Sequence, residues 1–423
     1  MITIEKTNLV VEREKLLAPF GFKGGYVDEL WQSLVTLEDQ VGREGLGCGV
    51  QSILWSDPQV YSEWGNERGN VFMNEITRYA LTSVKRRPFE TPMDLLDPMK
   101  EQAYEFASRV WTGKNPLRVT FALNALVPVD QASWMLLSHT KPGARFFDLI
   151  PEEYRSGLSW RHERLAATPV VGYGMTIEEI TALLDDGYFV LKIKLGSDPN
   201  QDGDPDKMME WDIRRLKEIH RMAGHRSCSH TANGKIAYYL DMNGRYGNKD
   251  LLWRLVEAAE RMGALEQILL VEEPFPEHLH VDVSDFPVRV AGDERVHSEK
   301  DALALIQMGY GAFALKPVAK TMSMSLRVAK LASEHGIPCF CADLTASPIM
   351  VDWNKNLAAL LPPVPGLSTG LIEANGVQNY AHWEAMKKSH PMPNGSWTDT
   401  REGQFYLQPE FYEHNGGVFG RRR

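Results

Sequence analysis

The sequence predicts an α/β fold built around a closed parallel β/α barrel, with a smaller α+β domain ahead of it. Three observations carry that expectation. The chain has 423 residues, enough for a barrel of roughly 250 residues and a second domain. From residue 168 onward eight short apolar runs alternate with helix-like stretches, the texture of parallel strands joined by helical crossovers. Most of those runs close on a polar or charged residue just before a turn, which is where a parallel barrel carries its chemistry. An open doubly wound sheet is the competing architecture. It calls for a glycine-rich phosphate turn after an early strand, and Gly172-Tyr173-Gly174 does not fill that pattern.

Residues 1–150 read as the α+β domain, joined by a C-terminal return over 391–423, and residues 151–390 as the barrel. In the first part, 34–37 and 45–51 read as strands, the second carrying Gly45, Gly47 and Gly49. Residues 19–25 hold three glycines and read as a loop. Residues 98–113 and 119–139 read as helices, the second kinked or restarted at Pro128. The barrel runs are 169–173, 189–195, 237–242, 268–271, 288–291, 312–315, 337–341 and 371–372. Helical stretches at 176–186, 208–223, 249–263, 299–308 and 322–335 lie between them.

Apolar residues make up 43% and charged residues 24%, ordinary for a soluble globular protein. A formal net charge of −10 argues against a nucleic-acid or anionic-membrane partner. The first residues lack the apolar stretch of a leader, and no run of about 18 apolar residues occurs, so a cytoplasmic protein without a membrane span is expected. Cys48, Cys228, Cys339 and Cys341 form no CxxC pair and read as reduced thiols rather than a zinc or redox site.

The strand ends are the informative part. In Leu191-Lys192-Ile193-Lys194-Leu195 the two lysines share one face and would point into the barrel mouth. Their mutual repulsion is expected to lower their pKa toward the range of a base working near neutrality. Asp241-Met242-Asn243 closes the third run, Glu272-Glu273-Pro274 the fourth, Asp293-Glu294 the fifth and Lys316-Pro317 the sixth. The steps from Asp241 to Glu272, Asp293 and Lys316 are 31, 21 and 23 residues, each the length of a strand–helix unit. Three carboxylates on adjacent strands supply hard oxygen ligands, suited to Mg²⁺ rather than zinc. Taken singly, Lys-x-Lys reads as a solvated strand edge, Asp-x-Asn as a turn and Glu-Glu-Pro as a strand exit. None of these explains the order lysine pair, acid, acid, acid, lysine.

In that order the segments KIK at 192–194, DMN at 241–243, VEEP at 271–274, GDE at 292–294 and LKPVAK at 315–320 resemble the enolase superfamily. They resemble in particular the muconate lactonising enzyme-like subgroup of its mandelate racemase/muconate lactonising enzyme family. VDQASW at 129–134 and GREGLGCG at 42–49 resemble its capping-domain helix and strand more loosely. The resemblance implies a modified TIM-type (β/α)7β barrel under an α+β cap drawn from both chain ends. It implies one Mg²⁺ per chain, held by Asp241, Glu272 and Asp293. Lys194 and Lys316 would be acid/base groups on opposite faces of a small carboxylate substrate, with Lys192 supporting Lys194 and the substrate carboxylate. Asn243, Glu294, Asp343 and Glu373 would support the site, Phe20 and Lys23 would belong to a cap loop over the mouth, and the chain would form a homo-oligomer.

The chemistry so implied is removal of a proton α to a carboxylate. Polar groups at Asn243, His297, Asp343, Thr345 and Ser347 lean the reading toward dehydration of a sugar acid. Racemisation, epimerisation or cycloisomerisation by the same two lysines is the alternative, and an inactive sugar-acid-binding homologue is the non-enzymatic one. A zinc hydrolase would need His-x-His on the first strand, which 169–173 lacks. A class I aldolase would need Lys316 but not the three acids. Two departures stand out. Lys320-Thr321-Met322-Ser323 replaces the subgroup's glycine pair, and residues 228–234 read as an insertion before the third strand.

Overall fold

A computed structural model describes residues 1–22 and 25–420; Lys23 of the expected cap loop and the arginines 421–423 lie outside the described residues. The N-terminal region is an antiparallel sheet in the order β3-β2-β1, extended by the two-residue strand Pro88–Phe89. Its strands are β1 (Ile2–Phe22), β2 (Gly25–Asp39) and β3 (Glu44–Gln51). Helices α1 (Pro58–Val84, broken at Gly65), α2 (Met93–Val110) and α3 (Val119–Thr140) complete it. Val35 and Leu37 face the core while Thr36 and Glu38, each the next residue along, are partly exposed, the alternation of a sheet covered on one side.

One expectation fails here outright and a second in part. Residues 19–22 continue β1 rather than forming a loop, with Phe20 opposite Val27 and Gly21 opposite Tyr26. The pairing slips between Lys15 and Phe20, so Pro19, which has no N–H to donate, sits in a bulge rather than in a ladder. The bulge brings Leu16 to Tyr380 on the barrel side. Nor does Pro128 restart its helix: α3 runs unbroken from Val119 to Thr140. The glycines of β3 explain the packing against it. A Cβ on Gly47 would lie 1.9 Å from the Pro128 carbonyl oxygen, and one on Gly45 2.2 Å from that of Ala132. Only a strand without side chains at these positions lets helix and sheet backbones approach so closely.

The second region is a closed barrel. Arg164–Thr168 and Val170–Val171 flank Pro169 and act as one strand, β4. It is followed by β5 (Val190–Lys194), β6 (Ala237–Asp241), β7 (Ile268–Glu272), β8 (Val290–Gly292), β9 (Ala312–Leu315), β10 (Cys339–Cys341) and β11 (Gly370–Glu373). Neighbours pair in parallel in chain order, and the lower part of β4 pairs with β11 while its upper part pairs with β5. The two ends of the sheet are therefore segments of one strand, which closes an eight-stranded barrel. Helices α4 (Ile177–Asp185), α5 (Pro205–Ala223), α6 (Lys249–Arg261), α7 (Glu299–Gln307), α8 (Met322–Glu334) and α9 (Pro348–Ala358) run outside it. The first strand thus begins earlier than the apolar run at 169–173 suggested.

Part of the expected C-terminal return joins the barrel instead of the cap. A hairpin of β12 (Thr400–Arg401) and β13 (Gln404–Tyr406) pairs antiparallel with the lower half of β4, on the side that faces β5 higher up. It fills the seam at the foot of the barrel.

Candidate active site

The strand ends converge on one cavity. Lys192 and Lys194 come from β5, Asp241 from β6, Glu272 from β7, Asp293 from the residue after β8, Lys316 from the residue after β9 and Glu373 from β11. Asn243, Asp343, Thr345 and Asn375 line the same space from the loops beyond. Phe20 and Val27 from the β1–β2 hairpin, with Trp55 from the turn before α1, line it from the cap. His297 and Ser347 do not line it. A larger groove of about 1100 Å³ lies elsewhere, between residues 139–144 and 413–420, and carries none of the strand-end groups.

The buried charges are paired within the cavity floor. Lys192 Nζ lies 3.0 Å from Asp241, 3.1 Å from Glu272 and 2.9 Å from Glu373. Lys194 Nζ donates to Asp241 Oδ2 at 2.6 Å and to Asn243 Oδ1 at 2.9 Å. Lys316 Nζ donates to Asp293 Oδ2 and stands 4.4 Å from the centre of the Trp55 ring. Lys320, one turn further on, donates to the Asp293 carbonyl oxygen at 2.8 Å. The sequence offered this last lysine only as part of a motif.

The expected lowering of lysine pKa by mutual repulsion does not occur at Lys192. Burial alone would lower it, but the surrounding carboxylates, led by Asp241 and Glu272, raise it well above the ordinary lysine value. Lys316 is raised in the same way, its burial outweighed by Asp293 and Glu272. Burial wins at Lys320 and lowers it. Burial also pushes Glu272 up to about 7, against the pull of Lys192. At Asp241 burial is overcome by Lys192 and Lys194, and its pKa is lowered.

A shell of buried groups fixes these strand ends. Asp212 on α5 accepts from Gly196 N at 2.9 and 2.8 Å and from the Tyr246 hydroxyl at 2.8 Å, tying the turn after Lys194 to the turn after Asp241. Burial raises its pKa to about 7. Glu273 accepts from Asp293 N at 2.8 Å and pairs with Arg295, whose other nitrogen donates to the Phe275 carbonyl at 2.6 Å. Asp343 accepts from Ala346 N and Asn375 N, and its own N–H donates to Glu373. Asp343 therefore both lines the cavity and orders the loops around it; burial raises its pKa to about 6. The backbone is left-handed at Asn243 (φ 46°), Glu273 (φ 40°) and Thr345 (φ 55°), a concentration of strain typical of functional sites.

The departure at Thr321 has a physical basis. Its φ is 72°, a conformation that favours glycine, and its hydroxyl caps α8 by accepting from Met324 N at 3.1 Å. Asp130 on α3 then accepts from Met322 N at 2.9 Å and from the Ser323 hydroxyl, while Trp134 Nε1 donates to that hydroxyl at 3.1 Å. The substituted segment is where the cap helix docks on the barrel. Burial raises the Asp130 pKa to about 6.

Three carboxylates sit close enough to share a cation: oxygens of Glu272, Asp293 and Glu294 lie within 4.8 Å of one another. Glu294 lines a neighbouring cavity of about 690 Å³, reached past Asn243, rather than the one that holds the lysines. The lysine cavity is lined by five carboxylates and three lysines, an acidic excess that a divalent cation would balance. The oxygen-only donor set fits Mg²⁺ or a similar hard ion.

Residues 175–385 match the family model described as Enolase C-terminal domain-like, and the chain belongs to that family. No curated protein matches it. Among solved structures, it is similar to a mandelate racemase/muconate lactonizing protein from Herpetosiphon aurantiacus (16% identity, 96% of each chain covered, TM-score 0.67). It is similar to a dipeptide epimerase from Enterococcus faecalis complexed with Mg and the dipeptide L-Leu-L-Tyr (19% identity, 87% of this chain and 92% of that one, TM-score 0.62). It is also similar to an N-succinyl Arg/Lys racemase from Bacillus cereus (16% identity, 90% and 88% covered, TM-score 0.62). At these identities the likeness is one of fold. Among the described residues no helix is long and apolar enough to cross a membrane.

Proposed function

We propose that the protein moves a proton on and off the carbon next to a carboxylate, as a racemase or epimerase of a small carboxylic acid. The observation that carries this reading is the placement of Lys194 and Lys316. They stand at the ends of β5 and β9, the second and sixth strands of an eight-stranded ring, and so face each other across the cavity. A neutral lysine on one face takes the α-proton, and a protonated lysine on the other face returns one to the opposite side. Lys192, saturated by three carboxylates, is a positioning residue. Asn243 holds the Lys194 ammonium by accepting from it at 2.9 Å.

Mg²⁺ would be held by Asp241, Glu272 and Asp293, three of the five acids that line the lysine cavity, while Glu294 lines the neighbouring one. When bound, such an ion offsets the negative charge that builds on the substrate carboxylate as the proton leaves. The epimerases and the racemase among the similar folds support this reading over dehydration. The dehydratase reading also loses two of its polar supports, because His297 and Ser347 do not reach the cavity.

The test is exchange of the α-proton for solvent deuterium, followed by mass spectrometry over a panel of dipeptides, acylated amino acids and acid sugars. Wild type should exchange and invert at least one member, and Lys194→Ala and Lys316→Ala should each lose about a thousandfold in rate. A keto product from an acid sugar, with no inversion of any other member, would establish dehydration instead.

A further inference from the structure

The roof of the lysine cavity is chemically opposite to its floor. Phe20, Val27 and Leu30 come from the β1–β2 hairpin, Leu54 and Trp55 from the turn before α1, and Leu344 from the loop after β10. Among the described residues the cap contributes no charged group to the lining. The roof is anchored, because Gly25 lets the hairpin rest directly on its neighbours: a Cβ there would lie 2.8 Å from the Tyr61 ring and 2.9 Å from Leu54. The Tyr61 hydroxyl donates to the Tyr26 carbonyl oxygen at 2.5 Å.

Two cap residues of the lining carry polar groups, Ser52 and Trp55, and Trp55 is the one that meets a floor lysine. It is 4% exposed, its ring is held beside the Lys316 ammonium, and its Nε1 finds no acceptor among the described residues. A buried N–H is costly to leave unpaired, and this one belongs to a residue that lines the cavity next to a proposed acid/base group.

We infer that the substrate carries an uncharged, largely apolar α-substituent with a hydrogen-bond acceptor, such as an amide carbonyl, that takes the Trp55 N–H. The inference rests on the floor binding the substrate carboxylate, as proposed above. An ionised group under this roof would lose its hydration with no counter-ion from the cap's described residues to meet it. Under the roof the hydroxyls of a sugar acid would lie against Leu30, Leu54 and Leu344, with Ser52 the one cap hydroxyl among the described lining residues. An acceptor placed against Trp55 removes an unpaired donor, so the site discriminates more strongly by that bond than by apolar fit.

The test is calorimetric binding to the full chain with Mg²⁺, using N-acetyl-leucine, N-acetyl-phenylalanine, N-acetyl-aspartate, gluconate and 4-methylpentanoate, which lacks the amide. The two apolar N-acetyl acids should bind at least about tenfold more tightly than N-acetyl-aspartate or gluconate. Trp55→Phe should weaken N-acetyl-leucine about fivefold to tenfold and 4-methylpentanoate less than about twofold. Tightest binding by gluconate or N-acetyl-aspartate, equal weakening of both probes, or binding by none of the five would overturn the inference. Deuterium exchange is read separately: an apolar acid that binds as expected yet exchanges no α-proton would refute the racemase reading and leave the roof assignment intact.

Discussion

The floor and the roof enclose one cavity but are held by different forces. On the floor, charges taken out of water hold one another, and Lys192 is the keystone, meeting Asp241, Glu272 and Glu373 at once. On the roof, apolar side chains from a hairpin and a turn are kept in place by packing and by one glycine contact. Removing one member of the floor exposes its partners to an uncompensated burial. Trimming the roof changes shape without stranding a charge. One side is therefore intolerant of substitution and fit for chemistry, and the other is free to vary with the molecule it covers.

The largest effect expected from this contrast is at Lys192. Lys192→Met leaves three buried carboxylates without their shared cation and should lower unfolding free energy by about 3–5 kcal/mol, read from urea denaturation. Trp55→Phe on the roof should stay within about 1 kcal/mol of wild type. Equal losses from the two would erase the distinction.

A second measurement sharpens where the floor ends. Asp241→Asn should weaken Mg²⁺ binding on the order of a hundredfold and Glu294→Gln less than about tenfold, by calorimetry. The reverse ranking would move the ion to the Glu272–Asp293–Glu294 side, toward the neighbouring cavity.

A pH-dependent effect concerns the support beneath the floor. Asp212 has a folded pKa of about 7, above the roughly 3.9 of an unfolded chain. Its proton is thus held more tightly by the folded state. The contribution is fully present below the unfolded value and is lost as pH rises through 7. Wild type should therefore lose roughly 3–4 kcal/mol more between pH 4 and pH 8 than Asp212→Asn does. Parallel stability profiles for the two proteins would remove Asp212 from this role.

The two regions were also unequally legible in the sequence. The floor showed itself because charged residues closed successive apolar runs, an arrangement that neither loops nor solvated faces produce in that order. The roof did not, because Val27, Leu30, Leu54 and Trp55 look like any other core residues until the fold sets them over the strand ends. Residues 19–22 misled for a definite reason: Pro19 and Gly21 are poor strand formers, and only the bulge and its contact with Tyr380 show why they are kept there. Asp212 was hidden in an amphipathic helix, where an acid reads as solvent-facing. The Thr321 segment could be seen as a departure, but its meaning came from Asp130, nearly two hundred residues earlier in the chain.

The hairpin at the foot of the barrel has a consequence for how the molecule comes together. Gln404 pairs with Ala166 and Phe405 with Leu165, so the seam between the first two barrel strands is completed by residues near the opposite end of the chain. Contacts so distant in sequence form slowly, because a long loop must be ordered before they repay it. Until residues 400–406 arrive, the lower edge of β4 offers unpaired backbone groups to any other strand nearby. During synthesis the barrel would spend its longest vulnerable interval with this one edge open, and a chaperone that shields it would act at the foot of the barrel, far from the cavity where the chemistry is done.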